Sequence, residues 1–313
     1  MTQRTLVTGG AGFIGSHLVD RLVAAGEQVI VLDNLSTGNR SNVSPRAELV
    51  IGDTTNGALI DELVRGADSI FHLAAVVSVQ ECIKDWDRGR RVNLDATIRL
   101  LRAAAKAGSA GVPVVYASSA AVYGDRSGKI CREESLPAPI SPYGADKLGC
   151  EHQARATAAI YGVPSVGLRF FNVYGPRQDP QSPYAGVISR FCANRLGSQP
   201  HTVFGDGHQG RDFIYVADIV EGLISGRGYA ARTKAAGVFN LCTGVETTLL
   251  ELAATIDDVS GGEKTPIEHA LARAGDIRRS LGDPYLAARN LGFEAKTDVR
   301  TGLGALWASL VRN

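Results

Sequence analysis

VTGGAGFIG, residues 7–15, is the stretch that decides the fold. A short apolar run, Thr5–Val7, leads into it and an amphipathic segment, His17–Ala25, follows, so Gly9, Gly12 and Gly15 occupy a turn between a strand and a helix. Glycines there let backbone N–H groups and a helix N-terminus approach a pyrophosphate closely, with Phe13 and Ile14 in the same turn. The spacing G-x-x-G-x-x-G is a variant of the dinucleotide fingerprint.

Working outward, the second apolar run, Gln28–Leu32, ends at Asp33, eighteen residues past Gly15 and followed by Asn34. A carboxylate there can accept hydrogen bonds from adenosine ribose hydroxyls and would repel a 2′-phosphate, which favours NAD over NADP. Arg40 reads as a solvated loop charge. Asp53 ends a third run, Ala47–Ile51 with its IGD turn, where it can reach an adenine amino group or cap the next helix. Ala74 and Ala75, in HLAA, are small enough for close approach of a flat ring or of backbone.

Tyr143 and Lys147 stand four residues apart in SPYGADK and share one face of a helix expected after Ser141, with Pro142 near its start and Gly162 near its end. An ammonium so placed favours the phenolate form and makes the phenol a usable base. Ser119, closing the run YASS, supplies a second hydroxyl to the same substrate oxygen. Tyr-x-x-x-Lys alone is common as two solvated helix residues; joined to the glycine turn it is specific.

The alternation of strands with helical segments such as Leu94–Ala107 continues through Ser69–Leu73, Val112–Ala117 and Ser165–Arg169. This is the pattern of βαβ units, and it predicts an α/β fold with a Rossmann-type, doubly wound parallel sheet. After about Phe171 the texture turns polar and glycine-rich: GPRQDPQSPYAG, FGDGHQGRDF and RAGDIRRS read as turns carrying ligand contacts rather than core. The expected organisation is a cofactor domain over residues 1–170 and a smaller α/β substrate domain over 171–313, interleaved with it because residues 213–245 return to the first.

With 313 residues, 44% hydrophobic and 21% charged, the chain can bury a large core. Thirty-three basic against thirty-two acidic side chains leave a net charge of +1, no basis for a nucleic-acid or anionic-membrane surface. No run approaches a membrane span, and the first strand begins too early to follow a cleavable leader, so a cytoplasmic protein is expected. Five scattered cysteines read as reduced packing residues, and the six histidines show no metal-ligand spacing, so no metal is expected.

Taken together, TGGAGFIG, LDNLSTG, HLAA, SSAAVYG, SPYGADK, RFFNVYGPR and RDFIYVAD resemble the extended short-chain dehydrogenase/reductase family, in its nucleotide-sugar epimerase branch. The resemblance implies bound NAD, catalysis by Ser119, Tyr143 and Lys147, and a UDP-sugar in the cleft between two domains. It places Asn172, Arg211 and Arg273 on the diphosphate, as guanidinium forks suit phosphate oxygens. It places Ser78, Val187, Asp276 and Ser280 among the other substrate contacts, with uridine held near Tyr184–Val187. Asn93 would brace the catalytic strand and helix beside the cofactor; taken alone it would be an N-cap for a helix from Leu94. A homodimer through Leu94–Ala107 and Tyr143–Tyr161 is likewise implied.

The implied reaction is transient oxidation at C4 of the sugar: Tyr143 takes the 4-hydroxyl proton, hydride passes to the nicotinamide, and the keto sugar takes hydride back on its other face. Related dehydratases carry an Asp-Glu pair after the active-site hydroxyl, and decarboxylases a glutamate; this chain has Ala120 and Ala121. Where glucose-restricted relatives carry a tyrosine walling the sugar's C2 side, Ser280 leaves room for an N-acetyl group. The expected substrates are UDP-N-acetylglucosamine/UDP-N-acetylgalactosamine, with UDP-glucose/UDP-galactose besides. UDP-glucuronate and a net reductase are alternatives, as is a non-catalytic NAD(H)-binding scaffold.

Overall fold

Apolar runs too short for helices and rich in β-branched residues become buried parallel strands. A computed structural model describes residues 2–107, 111–179, 186–272 and 277–312. Its strands are β1 (Arg4–Thr8), β2 (Gln28–Asp33), β3 (Glu48–Ile51), β4 (Ser69–His72), β5 (Val114–Ser119), β6 (Ser165–Phe170), β7 (Asn172–Tyr174), β8 (His201–Phe204), β9 (Gly210–Tyr215), β10 (Ala236–Leu241), β11 (Glu246–Thr248), β12 (Ile267–Ala270) and β13 (Arg279–Ser280). Seven form one parallel sheet in the order β3-β2-β1-β4-β5-β6-β10. The order reverses between β1 and β4, which makes their carboxyl ends the crevice where open α/β sheets bind ligands. The first six strands are those expected; β5 lies two residues later than predicted, so Ser119 is its last residue.

The helices are α1 (Phe13–Ala24), α2 (Gly57–Val64), α3 (Val79–Lys84), α4 (Trp86–Arg90), α5 (Ala96–Lys106), α6 (Pro142–Tyr161), α7 (Val187–Leu196), α8 (Val216–Thr233), α9 (Leu249–Ser260), α10 (Tyr285–Leu291) and α11 (Val299–Leu310). Leu18, Leu22, Ile219 and Leu223 of α1 and α8 pack on one face of the sheet, and Ile60, Leu100, Leu101 and Ala154 of α2, α5 and α6 on the other. A third core, including Tyr174, Phe191, Val203, Phe213, Leu252 and Leu303, lies under the C-terminal elements. Among the described residues no helix is long and apolar enough to cross a membrane.

Three expectations need correction. Helix α1 starts at Phe13, four residues before His17, because the turn's last glycine is already helical. The stretch expected from Leu94 instead runs on from α4 through a π turn, Arg91–Asp95, into α5: Asp85 caps α4, nothing breaks the chain between, and Asn93 sits mid-helix rather than at an N-cap. FGDGHQGRDF is only partly a turn. Its second half is β9, the centre of a second sheet with neighbours β11, β13 and β7, because the fully buried Asp212 carboxylate accepts hydrogen bonds from Thr243 N–H (2.9 Å), Thr243 Oγ1 (2.8 Å), Gly244 N–H (2.9 Å) and Gly282 N–H (3.4 Å).

One buried ion pair joins the sheet to α6. Arg169 on β6 donates through Nε to Glu151 Oε1 (2.9 Å) and through Nη2 to Oε2 (2.7 Å), and Ser118 Oγ on β5 donates to the same carboxylate at 2.5 Å. Arg169 Nη1 also donates to the Tyr123 hydroxyl (2.8 Å), which donates to Asn240 Oδ1 on β10 (2.7 Å). Removing one partner of such a pair strands an uncompensated charge, at about 3–5 kcal/mol. Glu151→Gln is therefore expected to lower the unfolding free energy by about that amount in a urea titration; a loss below about 1 kcal/mol would mean that the pair does not carry the junction.

Candidate functional site

The glycine turn meets the sheet's reversal point. Gly9 has φ +72, its N–H donates to Leu32 C=O at 2.9 Å, and a side chain there would press on Ala74 N at 2.6 Å. A β-carbon on Gly15 would collide with the Gly9 carbonyl. Helix α1 has Gly12 as N-cap with no side-chain cap and no acidic residue in its first turn, so the N–H groups of Phe13, Ile14 and Gly15 belong to an uncapped, positively polarised helix end. Asp33 accepts from Ala11 N–H (2.9 Å) and Leu35 N–H (2.8 Å), which fixes its carboxylate beside the turn. The cradle that a side chain would fill, the polarised helix end and the carboxylate fit a dinucleotide.

Asn34 Nδ2 donates to Asp53 Oδ2 at 2.8 Å, tying the ends of β2 and β3 together. Helix α2 is capped by Asn56, not by Asp53, whose Oδ1 accepts from Thr55 N–H. Burial pushes the Asp53 carboxyl up, yet the donors from Thr55 and Asn34 prevail and hold it below its ordinary value. Ala74 and Ala75 follow β4 after Leu73, with Ala74 N–H donating to Thr8 Oγ1 at 3.3 Å. Asn93, 1% exposed, clamps Val76, the residue after Ala75: its Oδ1 accepts from Val76 N–H (2.8 Å) and its Nδ2 donates to Val76 C=O (3.2 Å).

Across the crevice, Ser141 Oγ caps α6 through Gly144 N–H, Pro142 takes the first turn and Gly162 ends the helix at φ +69. Lys147, buried, donates from Nζ to Ala117 C=O at 2.9 Å and lies 5.7 Å from the Tyr143 ring centroid. Ser119 Oγ accepts from Ala121 N–H (3.1 Å). Gly144 lets the helix start pack against this strand end, since a β-carbon there would lie 2.6 Å from Ala121 C=O.

Ser119 and Tyr143 open into a cavity of about 410 Å³, together with Ala120, Ala121, Asn172, Arg211 and Ser280. Asn172 Nδ2 donates to Asp212 C=O at 3.0 Å, and Arg211 Nη1 to Gly210 C=O at 2.9 Å. Ser78 is buried, its Oγ caps α3 by accepting from Glu81 N–H (3.1 Å), and its neighbours Val77 and Val79 line the cavity. Val187 opens α7 and packs on the third core, away from that lining. Arg273 and Asp276, with Tyr184, lie outside the described residues.

Sequence reasoning missed Arg279, which lines the cavity while donating to Glu246 Oε2 (2.8 Å) and Gly128 C=O (2.8 Å), and Cys131, whose thiol burial pushes up to about 11. It also missed Glu151 and Arg169 behind the site. A charge in the middle of α6 and one within the largely apolar β6 were the only signal, and nothing in the sequence joins them. All five cysteines are buried and unpaired, and no metal-holding cluster occurs among the described residues.

Residues 5–242 match the model of the NAD dependent epimerase/dehydratase family. The UDP-glucose 4-epimerase of Mycolicibacterium smegmatis is 37% identical over 307 residues, 96% of each chain. The structure superposes on UDP-glucose 4-epimerase of Thermotoga maritima, solved with UDP-glucose, at TM-score 0.92 with 33% identity, covering 99% of both chains. It superposes equally, TM-score 0.92 and 33% identity over 100% and 99% of the chains, on the UDP-N-acetylglucosamine 4-epimerase of Methanobrevibacter ruminantium, solved with UDP-N-acetylmuramic acid.

Overpacking at Gly15 forces the turn apart, a distortion of about 1–3 kcal/mol. Gly15→Ala is expected to weaken NAD binding by about tenfold or more, since each 1.4 kcal/mol is tenfold, measured by quenching of intrinsic fluorescence. Unchanged affinity would detach the turn from the cofactor.

Proposed function

This chain belongs to the NAD dependent epimerase/dehydratase family, and from that premise we propose that it is a UDP-sugar 4-epimerase interconverting UDP-N-acetylglucosamine and UDP-N-acetylgalactosamine, and UDP-glucose and UDP-galactose besides. The observation that carries the reading is one cavity lined together by Ser119, Tyr143, Arg211 and Ser280, in a fold whose glycine turn is shaped for a dinucleotide.

In this reading Gly9, Gly12, Gly15, Asp33, Asp53, Ala74 and Lys147 hold NAD, which supplies a reversible hydride acceptor when bound. Tyr143 removes the proton of the sugar's 4-hydroxyl, with the Lys147 ammonium 5.7 Å from its ring centroid. Ser119 hydrogen-bonds the reacting oxygen and steadies charge developing there. The 4-keto sugar then turns within the cavity, and Tyr143 returns the proton once C4 has been reduced on its other face. Arg211 and Asn172 hold the diphosphate, with Arg273 as the second guanidinium. Ala120 and Ala121, lining the cavity beside Ser119, put no carboxylic acid there to remove water or carbon dioxide.

Ser280, half-buried in the lining, leaves space beside C2 and offers a hydroxyl to an N-acetyl group. The buried thiols suit a reducing compartment, and the cytoplasm is the proposed location. Exposed Trp86, Ile160 and Tyr161, on α4 and α6, favour a homodimer through this side of the molecule.

Proton NMR of the protein with UDP-N-acetylglucosamine, UDP-glucose and UDP-glucuronate, no cofactor added, is expected to show the 4-epimers of the first two. No conversion even with NAD supplied would favour a reductase or a binding protein. Tyr143→Phe should lower turnover about 10²–10⁴-fold with NAD still bound. Ser280→Tyr should cut activity on the N-acetylated pair at least about tenfold and spare the glucose pair; full activity on both would sink the substrate assignment.

A further inference from the structure

His72 ends β4, is fully enclosed, and takes no part in the chemistry above. Its hydrogen bonds have directions that can be worked out atom by atom. Thr97 Oγ1 donates to Asn93 C=O at 2.6 Å, which uses its one proton. Towards His72 Nε2, 3.0 Å away, that oxygen can only accept, so Nε2 carries the imidazole hydrogen. Nδ1 is then an acceptor for Thr8 Oγ1 at 2.7 Å, and Thr8 Oγ1 in turn accepts from Ala74 N–H. Burial first, and the Lys147 charge second, hold the imidazole neutral, with its pKa down to about 3.

The resulting line of donors runs from Ala74 N–H through Thr8, His72 and Thr97 to Asn93. Thr8 precedes Gly9, whose Cα packs against Ala74. Asn93 fixes Val76, next to the cavity-lining Val77, and its carbonyl also accepts from the Cys150 thiol of α6 at 3.2 Å. Lys147 lies three residues before that cysteine on the same helix. The chain thus spans the glycine turn, the segment after β4 and the helix of Tyr143, three pieces with no other common side-chain link among the described contacts.

We propose that His72 is a positioning residue: as the Nε2–H tautomer it holds the glycine turn and the β4 end in register with the Tyr143 helix, and so sets the cofactor against the reacting hydroxyl. The proposal rests on the epimerase reading for its effect on turnover, while the tautomer and cofactor retention test it independently.

Long-range ¹H–¹⁵N spectra of histidine-labelled protein at pH 7, with His72 assigned by its loss in His72→Asn, are expected to show the Nε2–H pattern; an Nδ1–H or doubly protonated ring would overturn the proposal. Thr97→Val, which deletes the link to Asn93, is expected to lower kcat by about tenfold to a hundredfold through misplacement of the reacting groups, leave KM for UDP-glucose within about twofold, and speed release of bound NAD, with Thr97→Ser restoring all three. Lowered stability with unchanged kcat and NAD release would leave His72 a core residue only, against the proposal. Wild-type protein inert on every UDP-sugar, yet showing the Nε2–H ring and NAD release quickened in Thr97→Val, would overturn the epimerase reading and uphold the positioning role.

Discussion

The buried guanidinium of Arg169 is the constraint on which the site depends. An arginine with 4% exposure must have its donors met, and a carboxylate, a hydroxyl, the Glu133 carbonyl and a ring face close at hand achieve that. Glu151 meets two, the Tyr123 hydroxyl another, and the Tyr123 ring lies 4.7 Å from the guanidinium carbon. Two members of this network neighbour a residue of the site at the natural period of their element. Glu151 is one helical turn beyond Lys147, and Ser118 precedes Ser119 on β5, where successive side chains take opposite faces. Satisfying the arginine therefore fixes the helix and the strand that carry Ser119, Tyr143 and Lys147, the proposed reactive trio.

Facing it, the glycine turn is fixed by exclusion rather than by attraction. Gly9 against Ala74 and Gly15 against the Gly9 carbonyl leave no room for any β-carbon, so backbone packs on backbone where β1 and β4 diverge. One wall of the crevice is thus set by missing side chains, the other by an ion pair. In the proposed reading the asymmetry has a chemical use: bare backbone presents N–H groups to a pyrophosphate, while side chains present the proton-transfer groups.

Much of this was legible where the signal is local. Glycine spacing after an apolar run placed the turn, Asp33 followed from strand length, and Tyr143 with Lys147 followed from the helix repeat. What stayed hidden depends on partners far along the chain. Nothing near Asp212 hints that Thr243, Gly244 and Gly282 would satisfy it, so a buried strand read as a polar turn. Asn93 looked like a cap because the π turn that carries it through α4 and α5 has no sequence mark. Nor does the sequence mark the local arrangement at Ser78, whose hydroxyl oxygen caps α3 while the valines on either side line the cavity.

Two residues of the cavity lining share one support. Ser280 on β13 pairs in register with Arg211 on β9, so the residue proposed to face the sugar and the guanidinium proposed for the diphosphate are cross-strand partners. The next residue on β9 is Asp212, whose carboxyl is pushed up by burial against the pull of its four donors, and which holds the Thr243–Gly244 turn and Gly282 together. Since Gly282 follows Ser280 by two residues, the same carboxylate sets the height of β13 over the cavity. A bulkier residue at 280 must either take up cavity space or lift β13 from β9, and the second course would loosen Arg211 as well. Small size at this position is therefore tied to the β9–β13 pair, and in the proposed reading the room beside the sugar and the placing of the arginine follow from the same contact.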